Sequence, residues 1–338
     1  MKIELRSDTF TKPTPGMLQA MFEAEVGDDV FEEDETVKKL EQKCAGIFGM
    51  EAGLFCTSGT MTNQIAIHVH TRAGDEVICD ELSHIYLYEG GGIAANSAAA
   101  IHLLKGNRGR ITATQVSEAI KPDNVHYPIS KLVSIENTVN KGGGAYYQLG
   151  ELEKIKQVCR LNNMALHMDG ARIFNALVET HESPKDYGNC FDSISICLSK
   201  GLGAPVGSVL LGNKDFIKNA RRVRKRFGGG WRQAGYLAAA GIYALNYHID
   251  RLKEDHQRAR EIAKIMNELP EVESILPVDT NIVIFRLHDK TNAAEYVKHL
   301  ASKGILASAF NKQDVRMVTH LDFNDEHLEY FRKQMLAF

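Results

Sequence analysis

Lys200 stands in the segment Leu198-Ser199-Lys200-Gly201-Leu202-Gly203, after an apolar run and among small residues. A lysine is costly to bury unless its pKa falls or it is neutralised covalently, and a Schiff-base lysine does both. Read alone, Lys200 is equally a strand-end lysine whose ammonium reaches water. Upstream, after the apolar run Met164 to Met168, comes Asp169-Gly170-Ala171-Arg172. An aspartate there can hold a proton on a pyridine nitrogen, so that the ring accepts electrons, or it can cap the next helix. A third segment, Thr57-Ser58-Gly59-Thr60-Met61-Thr62-Asn63, opens a helix pattern with hydroxyls and a glycine. Free amides and the positive dipole end at such a start suit a phosphate, although a plain capping turn looks much the same.

These pieces act together only if a scaffold brings them to one edge. From residue 50 to about 212, short β-rich runs alternate with longer helical patterns: 53–56, 76–79, 101–104, 132–135, 165–168 and 193–198. That alternation predicts an α/β fold whose mostly parallel sheet is buried on both faces, with ligands gathering at the carboxyl ends of the strands. A phosphate cup, a strand-end Asp and a strand-end Lys, in that order on such a scaffold, are what pyridoxal phosphate requires. The three glycine-rich stretches (90–92, 142–144 and 228–230) lack the spacing of dinucleotide or P-loop motifs. From about residue 233 the pattern changes to long helices ending at Pro270. A strand at 281–287, a helix at 291–303, a strand at 315–319 and a last helix from Asn324 follow. The expected division is an N-terminal segment with a large domain over 1–245 and a small α+β domain over 246–338.

Further matches run along the chain: Arg6-Ser7-Asp8-Thr9, Gly27-Asp28-Asp29-Val30, Ser83-His84-Ile85, Glu136-Asn137-Thr138, His167-Met168-Asp169-Gly170-Ala171-Arg172, Gly228-Gly229-Gly230 with Arg232-Gln233-Ala234-Gly235, and Arg316-Met317-Val318-Thr319-His320. With these the sequence resembles, over nearly its whole length, the L-threonine aldolase family (low-specificity type) of fold-type I pyridoxal-phosphate enzymes. The resemblance implies an aspartate aminotransferase-like fold, with Lys200 bound covalently to the cofactor and Asp169 at its pyridine nitrogen. Ser58, Gly59 and Thr60 would hold its phosphate, and His84 would stack on its ring. Ser7, Arg172 and Arg316 would grip the substrate carboxylate, a task that suits the planar guanidinium fork. Lys225 and Arg232 would reach the cofactor phosphate of a neighbouring subunit in a homotetramer, a dimer of dimers. Arg172 is carried over as a cofactor contact as well.

The activity so implied is retro-aldol cleavage of L-threonine or L-allo-threonine to glycine and an aldehyde, with His84 or His126 as base for the β-hydroxyl, directly or through water. Clamping of the carboxylate and amine predicts strict L selectivity at Cα, and looser selectivity at Cβ with the allo form preferred. The chain departs from the family pattern at Phe31-Glu32-Glu33-Asp34-Glu35, at Asn137-Thr138-Val139-Asn140 and at Trp231. Phe31 stands where a tyrosine hydroxyl is usual beside the substrate side chain. The alternatives are β-elimination, transamination or racemisation on the same fold, or a catalytically silent binding protein.

The 40 Lys and Arg against 43 Asp and Glu leave a formal net charge of −3, so no global field recruits nucleic acid or anionic membrane. The basic run Arg221, Arg222, Arg224, Lys225 and Arg226 reads as a solvated or subunit-facing helix surface. The six cysteines show no C-x-x-C pair, which suits reduced, buried thiols of a cytoplasmic protein and no metal site. The first ten residues lack a signal-peptide core, and no apolar stretch is long enough to span a bilayer.

Overall fold

The computed structural model describes residues 1–336. All six runs anticipated between residues 50 and 212 form strands: Ala52–Cys56, Asp75–Asp80, Ala100–Leu104, Ile129–Glu136, Ala165–Gly170 and Ser193–Cys197. A seventh, Ser208–Gly212, had not been singled out. Across the sheet the order is 52–56, 208–212, 193–197, 165–170, 129–136, 75–80, 100–104. Only Ser208–Gly212 is antiparallel to its neighbours, so the other six strands point their carboxyl ends to one edge.

Ser193–Cys197 and Ser208–Gly212 are buried at every position, because helices cover both faces and leave no solvent side to favour polar residues. The strand alternation shows it. Phe55, Val209 and Leu211 pack into a cluster with Val37, Leu40 and Ala238, whereas Leu54, Cys56 and Leu210 face Ile65, Phe216 and Ala220. The helix Gly59–His70 lies on that second face and begins where the strand Ala52–Cys56 ends. Ser58 caps it from an extended backbone, its Oγ accepting the Met61 amide at 3.2 Å.

A smaller antiparallel sheet runs in the order 308–309, 314–318, 282–287, 272–275. Its core includes Val283, Phe285, Met317 and Phe331. The helix Leu252–Asn267 joins the two cores, with Leu252 in the large one and Ala259, Ile262 and Met266 in the small one. Ile3–Glu4 pairs with Ile305–Leu306, and Ile3 and Leu5 are buried in the small core. The first five residues therefore pack with the C-terminal unit. Among the described residues no helix is long and apolar enough to cross a membrane, and all six cysteines are free and buried.

The basic helix Lys214–Arg226 is more structural than its charge run suggests. Arg224 is buried, donating to the Phe55 carbonyl at 2.7 Å and to Asp29 at 2.6 Å, and Arg221 pairs with Glu41 at 3.1 Å. The expectation of a solvated surface fails at these two positions, where an arginine's reach lets its charge meet buried acceptors.

Candidate active site

The common carboxyl edge of the six strands gathers chain segments distant in sequence. Cys197 closes the strand that leads to Lys200, whose Nζ lies 3.7 Å from Cys197 Sγ. The same sulfur accepts the Ser208 hydroxyl at 3.2 Å. A Cβ on Gly59 would meet Cys197 Sγ at 2.6 Å, so only glycine lets the first turn of Gly59–His70 approach this closely. The Gly59 and Thr60 amides at the start of that helix have no intrahelical acceptor, so with Ser58 they are candidates for holding an anion.

One strand further across, Asp169 is buried, its Oδ1 accepting the Ala171 amide at 3.1 Å and its Oδ2 the Asn63 side-chain amide at 2.8 Å. The helix-capping alternative does not describe it, since the next helix starts at Ile173 with Arg172 in the cap position. His84 opens a short helix after the strand Asp75–Asp80, and its Nδ1 is 3.0 Å from Glu89 Oε1. Polar atoms of His84, Glu89 and Asp169 all lie within 4.8 Å of one another. Burial opposes charging the imidazole, but the Glu89 hydrogen bond and the nearby carboxylates of Asp169 and Glu136 outweigh it and raise the His84 pKa.

Glu136 completes this acidic side. It is the in-register neighbour of Asp169 on the adjacent strand, which places the two carboxyl groups on one face. Burial, then the Asp169 charge, pushes the Glu136 carboxyl up to about 7, against the amides of Asn140 and His84 that donate to it at 2.9 and 2.8 Å.

A cavity of about 440 Å³ is lined by Ser7, His84, Glu136, Arg172, Lys200 and Arg316, with Thr9, Tyr88, Asn140, Ala171, Ala309 and Phe310. Its far side is cationic. The Arg172 Nε and one terminal nitrogen each donate to Asp8 at 2.7 Å, fully buried. Arg172 holds the Asp8 carboxyl well below the usual range although burial alone would raise it. Arg316 donates to Asn140 Oδ1 at 2.8 Å and to the Arg6 carbonyl at 2.9 Å, while its buried Nε has no partner among the described residues. Burial and the neighbouring Arg172 push the Arg316 pKa down to about 10. Arg316 remains a cation near neutrality, and no carboxylate among the described residues accepts from it. Ser7 caps the short turn Asp8–Phe10, accepting the Thr9 amide at 3.3 Å.

Four expected site residues lie elsewhere in the chain. His126 is exposed in a turn before Ile129, at the amino end of the strand whose carboxyl end carries Glu136. Eight residues of strand separate the two ends by about 23 Å. Within its own chain His126 therefore does not reach the cavity, because a parallel strand delivers only its carboxyl end to the site. Phe31 is 70% exposed and does not line the cavity, so its placement beside a substrate in the same chain is corrected. Lys225 and Arg232 are exposed and outside the cavity, Lys225 beside Gly230 and Arg232 paired with Asp28 at 2.9 Å.

Other site residues escaped the sequence reading. Glu136 carried the same signal as Asp169, an acid closing an apolar strand. Asp8, Glu89, Asn63 and Cys197 gave no such sign, because their roles depend on contacts across the fold.

A family model described as beta-eliminating lyase matches residues 4–290. The chain belongs to the beta-eliminating lyase family. Among relatives of this chain, a low specificity L-threonine aldolase of Escherichia coli (strain K12) is 42% identical over 337 residues, covering 99% of each chain. A probable low-specificity L-threonine aldolase 2 of Arabidopsis thaliana is 39% identical over 335 residues, 97% of this chain and 94% of that one. The solved threonine aldolase of Leishmania major superposes with a TM-score of 0.85 at 20% identity, over 98% of both chains, and supports the fold-type I architecture.

Proposed function

We propose that the protein is a pyridoxal-phosphate-dependent lyase that cleaves L-threonine and L-allo-threonine to glycine and an aldehyde. The observation that carries this reading is that Lys200, His84 and Arg316 line one cavity, with Asp169 within 4.8 Å of His84 and no carboxylate paired to Arg316 among the described residues. The relatives' names support the same reading.

The donor set fits the cofactor. Gly59 is a position a Cβ would fill, the helix start beside it suits a phosphate, Asp169 offers a buried carboxylate, and Lys200 offers an amine 3.7 Å from the Cys197 sulfur that Gly59 packs against. Ser58, Gly59, Thr60, Asp169 and Lys200 would hold the group, which supplies an electron sink for the bond broken at Cα. Asp169 keeps a proton on the ring nitrogen through its charge. Arg316 binds the substrate carboxylate. Arg172 serves chiefly to hold Asp8 and the Ser7 turn in place, since most of its fork is already committed. His84, with Nδ1 held by Glu89, presents Nε2 as the acceptor for the β-hydroxyl proton. This side-chain acceptor binds the Cβ hydroxyl without a second clamp, which supports turnover of both L diastereomers with the allo form preferred.

We also propose a cytoplasmic homotetramer with sites near subunit boundaries. Exposed Phe22, Val125 and Ile129, and the outward placement of Phe31, His126, Lys225 and Arg232, support it.

Borohydride reduction of the holoenzyme followed by peptide mapping is expected to label Lys200, and Lys200→Ala to abolish turnover. Glycine and acetaldehyde should form from both L isomers and not from D-threonine. Label on another lysine, or a product other than glycine, would falsify the reading. Sedimentation of a fully active monomer would contradict the assembly.

A further inference from the structure

Asp169 is the end of a buried polar chain that leads away from the cavity. Asn63 Nδ2 donates to Asp169 Oδ2 at 2.8 Å and to Glu89 Oε1 at 2.9 Å. Asn63 Oδ1 lies 3.1 Å from His167 Nε2, His167 Nδ1 lies 2.8 Å from Ser193 Oγ, and the same Oγ lies 2.8 Å from His70 Nε2. Asn63, His167 and Ser193 are at most 1% exposed, so water does not substitute for any link.

Elementary donor and acceptor rules fix the direction of every bond. Two carboxylates can only accept, so the Asn63 NH₂ must face them and its oxygen must face His167. An amide oxygen only accepts, so His167 carries its proton on Nε2 and presents a bare Nδ1. Burial holds the His167 pKa down to about 3, which leaves the ring neutral. Ser193 must then donate to Nδ1, and its oxygen accepts from His70 Nε2–H. Every donor in the chain points towards Asp169.

The regular elements are spaced to build this. His167 and Asp169 are two apart on one strand and share a face, and His70 follows Asn63 by two helical turns. Ser193 is the in-register partner of His167 on the next strand.

We propose that Asn63, His167, Ser193 and His70 are positioning residues, a one-way donor chain that holds and aims the Asp169 carboxylate. Aligned hydrogen bonds polarise one another in a dry interior, so the last donor onto the carboxylate is strengthened by those behind it. The effect on the cofactor rests on the role proposed above for Asp169, whereas the bond directions do not.

Nitrogen-15 NMR of histidine in the apoprotein reads the bond directions without any cofactor. The expected His167 signals are those of a neutral Nε2–H tautomer, and an Nδ1–H tautomer would overturn the chain. In the holoenzyme carrying ring-¹⁵N pyridoxal phosphate, Asp169→Asn is expected to move the ring-nitrogen signal towards the unprotonated position. Ser193→Ala, which removes one link while leaving Asn63 and Asp169 in place, should move it the same way by less. His167→Phe should lie between them, with cofactor dissociation constants rising roughly two- to tenfold. If Asp169→Asn moves the signal and neither Ser193→Ala nor His167→Phe does, the chain has a structural role only and the inference fails. An unmoved signal in Asp169→Asn overturns the role of Asp169 itself, and the inference with it.

Discussion

On one side of the cavity stand Arg172, buried and paired with Asp8, and Arg316, partly buried. On the other, one imidazole, His84, stands among Glu89, Glu136 and Asp169. The cationic side has a charge to spare for a ligand, whereas the acidic side has more carboxylates than cations and raises the proton affinity of its own members. On the function proposed above, the contrast would divide the labour of the site: one side to bind an anion, the other to hold and move protons. The division also separates effects on stability and binding from effects on pH dependence, and substitutions should follow it.

The largest effect is expected on the cationic side from Asp8→Ala, which strands Arg172 without a counter-ion. Breaking one partner of a buried pair costs about 3–5 kcal/mol, to be read from urea unfolding of the apoprotein. A loss below about 1 kcal/mol would mean that water reaches Arg172 and that this side is less dry than described. Next is Arg316→Gln, which removes the free cation and leaves the Asp8–Arg172 pair intact. A charged hydrogen bond contributes about 1.5–3 kcal/mol, so kcat/KM should fall about ten- to a hundredfold, mainly through KM. An unchanged KM would place carboxylate binding elsewhere.

A smaller, qualitatively different change is expected on the acidic side. Glu89 is the main cause of the raised His84 pKa, and Glu89→Gln removes that charge. The proton then leaves His84 at lower pH, so the basic form appears earlier and the acid limb of the kcat/KM profile moves to lower pH. The linked stability follows the same sign. The part that Glu89 contributes through charged His84 is present below the unfolded imidazole value and is lost as pH rises through the folded one. A limb that moves to higher pH, or stays in place, would show that His84 is not the titrating base. Least affected should be Phe31→Tyr, outside both sides and 70% exposed, with unfolding free energy changed by less than about 0.5 kcal/mol.

Much of this arrangement was legible before the fold was known, and the reasons are local. A buried parallel strand writes itself as an apolar run, and the residue that follows the run lands on the shared carboxyl edge, which is why Asp169, Lys200 and the Ser58 turn could be placed together. Ser208–Gly212 was missed because reading alternation as crossover units leaves no place for a reversed strand. The partners that set the chemistry were not legible either. Asp8 meets Arg172, and Glu89 meets His84 and Asn63, only after distant segments pack. His126 and Phe31 show another limit: a resemblance transfers a residue type to a position, but not the side of the sheet on which one chain displays it.

The hydrogen bond from Arg316 to the Arg6 carbonyl joins positions 310 apart in sequence, and Ile3–Glu4 is zipped to Ile305–Leu306. During synthesis Ile3–Glu4 leaves the ribosome long before its partner Ile305–Leu306. The large sheet can form around its own crossovers, but Arg316 arrives with the strand Asp314–Val318 of the small unit. Closing such a long loop before its contacts form is entropically costly, which makes this seam a late event in folding. A nascent chain released before residue 316 would keep a sheet and a lysine yet lack Arg316, and one clipped near its start would keep Arg316 without the Arg6 carbonyl that holds it.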